Sequence, residues 1–227
     1  MTRFPARYKV PEFTTFASLL RIATKYDFPD VREALVEDLK HAYPTKWEDF
    51  QAARVLGEDF FGSPKPHTNA VLNLLMEQDI KFALPFAVYR ACLGGFPALV
   101  SDEPGTVLPR LTLASIVHGM GVMKLVTTGA TYDVVYSKGL EVCPNKSCVL
   151  NVGAIPTGGR MGALKKIFLA MTEGGAHCVN MLSPLSFGTN VCVNCAKRME
   201  EAHLPIRKEV IWAKLPCLLG WEGWEGV

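Results

Sequence analysis

Apolar residues recur three and four positions apart from Phe13 onward, at Phe13, Phe16, Leu19, Leu20, Ala23 and Tyr26. That spacing predicts an amphipathic helix, with Thr14 or Thr15 as its cap. Asp27-Phe28-Pro29 predicts a turn launching a second helix, with Pro29 near the first position, where its missing N–H costs nothing. Val31, Leu35, Leu39 and Ala42 line one face of that helix, and Pro44 stops it. Trp47 to Leu56 predicts a short third helix. Gly57 to Pro66 holds Gly62, Pro64 and Pro66 and reads as a loop. Val71, Leu72, Leu74 and Leu75 predict a helix up to Gln78, and Pro85 to Leu93 predicts another, closed by Gly94-Gly95.

Residues 96 to 109 carry further breakers and read as a loop. Leu111 to Val126 is apolar, but Gly119 and Gly121 weaken the helical pattern there. The second half is more irregular. Val149 to Val152 suits a short strand, Gly153 to Gly159 a loop, and Gly162 to Thr172 a helix. Asn194 to Lys214 is helical in pattern, with Met199, Ala202, Ile206 and Val210 on one stripe, and Pro205 should kink or split it. The tail from Gly220 to Gly226 repeats Trp-Glu-Gly and reads as a docked or frayed end. The pattern as a whole predicts a mainly α, irregular helical domain.

Composition narrows the function. The 227 residues carry 24 basic and 22 acidic side chains, a net charge of +2. That balance supplies no field for steering nucleic acid or an anionic membrane. No secretory signal follows Arg3, Arg7 and Lys9. The uncharged run from Leu111 to Met123 reads as too short for a bilayer span. The expectation is an intracellular protein without a membrane segment. An odd count of seven cysteines without an export signal argues against a disulfide framework.

Four of those cysteines form two close pairs, Cys143-x4-Cys148 and Cys192-x2-Cys195. Short spacing lets one tight loop aim two sulfurs at one ion, and two such pairs supply the tetrahedron of a structural zinc site. The interval between the pairs is longer than in a zinc ribbon, so three readings stand side by side: structural zinc, packed thiols, and a redox pair. His177 or Cys178 could substitute as a ligand.

Catalytic motifs fail on their own chemistry. Gly153 to Arg160 imitates a phosphate loop, but Gly159 stands where the loop needs Lys and Arg160 where it needs Ser or Thr. His118-Gly119-Met120-Gly121 imitates an oxyanion loop, yet no Gly-x-Ser-x-Gly elbow exists in the chain. His41, His67, His118, His177 and His203 are scattered. Lys197, Arg198, Arg207 and Lys208 interleave with Glu200, Glu201 and Glu209, as on a solvated helix face. Trp47, Trp212, Trp221 and Trp224 suit either an interface or a core. No enzyme is expected.

Leu19 to Arg32, His41-Ala42-Tyr43-Pro44-Thr45, Leu84 to Cys92, Cys192 to Cys195 with the charged helix after it, and Trp212 to Pro216 with Leu219 to Glu222 carry a resemblance. Together they resemble, in order, the region that follows the BTB fold in fungal, basidiomycete-type BTB/POZ-domain proteins. The resemblance implies that residues 1–45 are the C-terminal helices of a BTB/POZ-like fold and residues 46–227 a helical post-BTB region with both Cys pairs. By the same resemblance the chain is expected to lack the strands of the BTB core, and residues from about 96 to 190 match loosely. It further implies an adaptor-type protein acting through protein partners, with structural zinc at Cys143, Cys148, Cys192 and Cys195, and apolar surface left exposed between Phe13 and Leu39. The alternative is a zinc-dependent nucleic-acid-binding module, which the near-neutral charge opposes.

Overall fold

The structure is a computed structural model that describes residues 12–56, 61, 68–93, 95–100, 103–139, 143–145, 148, 182 and 191–224. The expected strand Val149–Val152, the glycine-rich loop Gly153–Arg160, the helix Gly162–Thr172, His67, His177 and Cys178 lie outside them. The described part is mainly helical, as the periodicity predicts, and no strand occurs among the described residues.

Helix α1 spans Phe13–Lys25 and α2 spans Pro29–Ala42. Glu12, not Thr14 or Thr15, occupies the cap position of α1, and no side chain caps it. The Thr14 carbonyl instead accepts from the Ser18 hydroxyl at 2.8 Å. Pro29 opens α2 as predicted. Asp27, with φ at 53°, makes the reversal between them. Then follow α3 (Trp47–Leu56), α4 (Thr68–Glu77), a 3₁₀ turn (Lys81–Ala83), α5 (Leu84–Leu93) and the short α6 (Gly95–Leu99), which begins where a loop is expected. Asn69 ties α6 to α4, its amide nitrogen donating to the Leu99 carbonyl at 3.0 Å in the interior.

Helix α7 corrects the sequence reading. It runs from Arg110 to Gly139, 30 residues, straight through Gly119 and Gly121. Glycine weakens a helix by about 1 kcal/mol relative to alanine, which a helix anchored on a core can absorb. Ile116 and Met123 are fully buried and supply that anchor. The apolar run is therefore longer than Leu111 to Met123. Residues Arg110–Val134 are long and apolar enough to cross a membrane, by length and composition alone.

Helix α8 covers Val193–Pro205. The α-helical register ends at Pro205, where a kink or split is expected. The chain continues from Ile206 to Trp212 as a π-helix, and the Ala213 N–H reaches back five residues to the Lys208 carbonyl at 3.0 Å. Proline cannot donate to the α-helical ladder, and widening the ladder by one residue is a way to keep the chain helical past it. The short α9 (Leu215–Leu218) and the tail close the fold.

One apolar cluster unites residues from both sides of position 45, from Phe16, Leu20 and Leu39 to Leu72, Leu75, Ala87, Trp212 and Leu215. Trp212 is its hub. Its ring stacks on Phe50 at 4.9 Å and on Trp224 at 5.1 Å, and meets Phe86 at 5.7 Å and Trp47 at 6.0 Å edge-on. Trp224 also donates from Nε1 to the Trp212 carbonyl at 3.0 Å, so the tail docks. Gly220 and Gly223 take φ values of 89° and 142°, which favour glycine and let the tail fold back. Truncating this hub removes four ring contacts at once. Trp212→Ala should cost about 3–5 kcal/mol, read as a fall in the urea midpoint.

Candidate metal centre

A second, smaller apolar cluster holds Val134 of α7 with Cys143, Cys148, Cys195 and Met199. Tyr136, Cys192, Ala202 and Ile206 pack around it, and Ile206 also touches the main core. Here the structure brings together all four sequence-predicted ligands. The sulfurs of Cys143, Cys148, Cys192 and Cys195 all lie within 4.8 Å of one another. Cys143 and Cys192, remote in sequence, have sulfurs 3.6 Å apart.

Each pair is positioned locally. Cys192 stands at the N-cap of α8, and Cys195 lies in its first turn, so the helix start aims both sulfurs to one side. A helix N-terminus also favours negative charge. On the other strand of chain, a turn closed by the Cys148 N–H and the Asn145 carbonyl at 3.1 Å folds Cys148 back towards Cys143. The two halves are tied directly, because the Cys192 N–H donates to the Cys148 sulfur at 3.4 Å.

The electrostatics divide the thiols. The Cys195 N–H turned towards the Cys192 sulfur lowers its pKa to about 7, while burial pushes the Cys143 and Cys195 thiols up. Arg198, one turn into α8, donates from Nη2 to the Cys195 sulfur at 3.7 Å and offers a cation to a centre of thiolates. The donor set fits one soft cation. A tetrahedron of metal–sulfur bonds near 2.3 Å has edges of about 3.8 Å, matching the 3.6 Å separation. Three of the sulfurs belong to buried residues and Cys192 to a half-buried one, so the arrangement could hold a metal ion in a closed shell.

The remaining described cysteines stand apart. Cys92 is buried in the main core, its pKa raised to about 12 by burial, and Cys217 is exposed. Among the described residues the histidines build no nucleophilic pair. His41 meets the Glu37 carbonyl through Nδ1, and His118 is exposed. His203, missed as a special residue by sequence reasoning, is 1 % exposed with no hydrogen-bond partner at either ring nitrogen. Burial pushes its pKa down to about 4 and keeps it neutral. Next to it Arg207, 2 % exposed, gives Nη2 to the Glu200 carboxylate. Arg207 corrects the sequence reading, which placed it on a solvated charged face: the π-helical stretch turns it into the interior. No sequence signal marks His203. A cleft of about 290 Å³ between α4, α5, α7 and the tail is lined by Leu72, Met76, Val88, Ile116 and Trp221, with Thr112 and Ser115 as its hydroxyls and no titratable group.

Compared with known proteins, the chain matches no family model, no curated protein and no solved structure.

Metal binding requires deprotonated thiols, so affinity should fall as pH falls below neutrality. Arg198→Ala removes the cation beside Cys195 and should weaken metal binding about tenfold. Competition with a chromophoric chelator at two pH values reads both effects.

Proposed function

We propose that this chain is a non-catalytic protein-interaction module whose C-terminal half is stapled by structural zinc. The observation that carries the interaction reading is an apolar patch at the elbow of α1 and α2. Leu19, Ile22, Tyr26, Phe28 and Val31 are all exposed there, with the Tyr26 and Phe28 rings 6.5 Å apart. The opposite side of α1 already serves the core through Phe16, Ala17, Leu20 and Ala23. An apolar side chain on the outer face gains nothing in water, and a contiguous patch of this kind marks a contact surface. The resemblance to the region after a BTB fold supports the same reading, because these helices would pack there against the fold's core.

Zinc is the ion favoured by the donor set. Four thiolates select a soft or borderline cation, and sulfurs this close leave room for one ion and not for a multi-iron cluster. A closed shell of four protein ligands supplies folding energy and no open position for chemistry. The nucleic-acid reading gains no support from α8. Along α8 and the π-helix after it, Lys197 pairs with Glu201, Arg207 with Glu200 and Lys208 with Glu48, the last at 2.8 Å, and Arg198 turns to the Cys195 sulfur.

The test is differential capture. Proteins retained by the immobilised wild-type chain should be lost from an Ile22→Asp, Tyr26→Ser variant and kept by Cys217→Ser. An identical set on all three would contradict the patch as the contact surface.

A further inference from the structure

One of the four clustered cysteines differs from the rest. Cys143, Cys148 and Cys195 are buried, whereas Cys192 is half-buried. Its neighbours Val193, 81 % exposed, and Asn194 stand in solvent, and so do Pro144 and Asn145 beside Cys143. Solvent therefore approaches the four sulfurs at Cys192. That sulfur lies 3.6 Å from the Cys143 sulfur. A disulfide needs about 2.05 Å, so the two must close by about 1.5 Å, which rotation about the side-chain bonds supplies. The pair also spans the site, since Cys143 follows α7 and Cys192 caps α8. Joining them takes one donor from each arm and leaves Cys148 and Cys195, too few for a closed tetrahedral shell. The joint has little else to hold it. Besides the cysteines, the buried members of this cluster among the described residues are Val134 and Met199.

We infer that the cluster is a peroxide-sensitive switch, in which a Cys143–Cys192 disulfide replaces the metal as the tie between the end of α7 and the start of α8. The switch rests on the structural zinc proposed above. First the Cys192 sulfur attacks one oxygen of hydrogen peroxide. The S–O bond forms, the O–O bond breaks and hydroxide leaves, giving a sulfenic acid at Cys192. The Cys143 sulfur then attacks the Cys192 sulfur. The S–S bond forms, the S–O bond breaks and a second hydroxide leaves. Both hydroxides take a proton from solvent and become water, and two electrons have passed from the sulfurs to the peroxide. Because the second sulfur is already at hand, oxidation stops at the disulfide, which a thiol reductant reverses, and does not run on to an irreversible sulfinic acid. With Cys195 freed from the shell, the first turn of α8 loses its hold. The main core, to which none of the four cysteines belongs, keeps its packing.

The test uses the full chain carrying Cys217→Ser, so that the exposed Cys217 thiol consumes no oxidant. It is loaded with zinc, and its zinc content is measured beforehand. A small excess of hydrogen peroxide should release about one equivalent of zinc to a chromophoric chelator. Peptide mapping should find Cys143 bonded to Cys192, and dithiothreitol with added zinc should restore the loaded form. Hydrogen exchange should rise across α8 and stay unchanged in α5. Cys192→His keeps a metal-ligating side chain but cannot form the bond, so release should slow at least about tenfold. Cys143→His is its companion, and if neither variant loads zinc the mapped linkage decides. A chain that loads no zinc overturns the zinc reading and the switch together. A loaded chain that keeps its zinc under peroxide overturns the switch alone. So does a disulfide between other residues, a release that Cys192→His does not slow, or unchanged exchange in α8.

Discussion

Four sulfurs gathered within 4.8 Å of one another impose the governing constraint on the C-terminal half. As neutral thiols they are weak hydrogen-bonding groups. As thiolates they repel one another across a poorly solvated space. A bound cation would convert that repulsion into attraction, and the geometry suits one: the start of α8 aims two sulfurs, the turn at Asn145 aims the other two, and Arg198 stands beside Cys195. The apolar cluster there is small, with Val134 and Met199 as its buried members besides the cysteines. The joint between α7 and α8 therefore leans on the sulfurs far more than the main core does.

The two regions are coupled through the helix that follows. Ile206 touches both clusters, and the π-helical stretch it opens delivers Trp212 to the centre of the aromatic hub. A π segment costs hydrogen-bond geometry. It is held in place from both ends, by the Cys cluster before it and the stacked rings after it. His203 and Arg207, buried between those anchors, keep polar atoms without partners. Such groups are tolerated only where the surrounding packing determines the conformation.

Much of the helical framework was legible in the chain. Pro29, the periodic runs at Phe13 and Val71, and the breakers at Pro44 and Gly94 mark out α1 to α5, with the start of α4 three residues earlier than Val71, because local propensity and burial agree there. The errors fall where tertiary anchoring overrides propensity. Gly119 and Gly121 looked like weak points, yet burial of Ile116 and Met123 carries α7 through them. Pro205 was expected to kink or split the run; the α-helical register does end there, but the chain stays helical in a π register. At the site, the two short Cys pairs were visible as spacing, but their meeting was not, since no local rule relates residues as far apart as Cys148 and Cys192. His203 left no trace in the pattern, because burial of a single imidazole is decided entirely by what packs on it.

Elemental analysis of the chain purified without chelator tests most directly whether the four sulfurs share one ion. About one equivalent of zinc per chain, falling to none when Cys143 and Cys195 are both replaced by serine, is the result this account predicts. A folded wild-type chain that carries no metal and takes none up when titrated with zinc would contradict it, and would leave the four cysteines as packing residues of the smaller core.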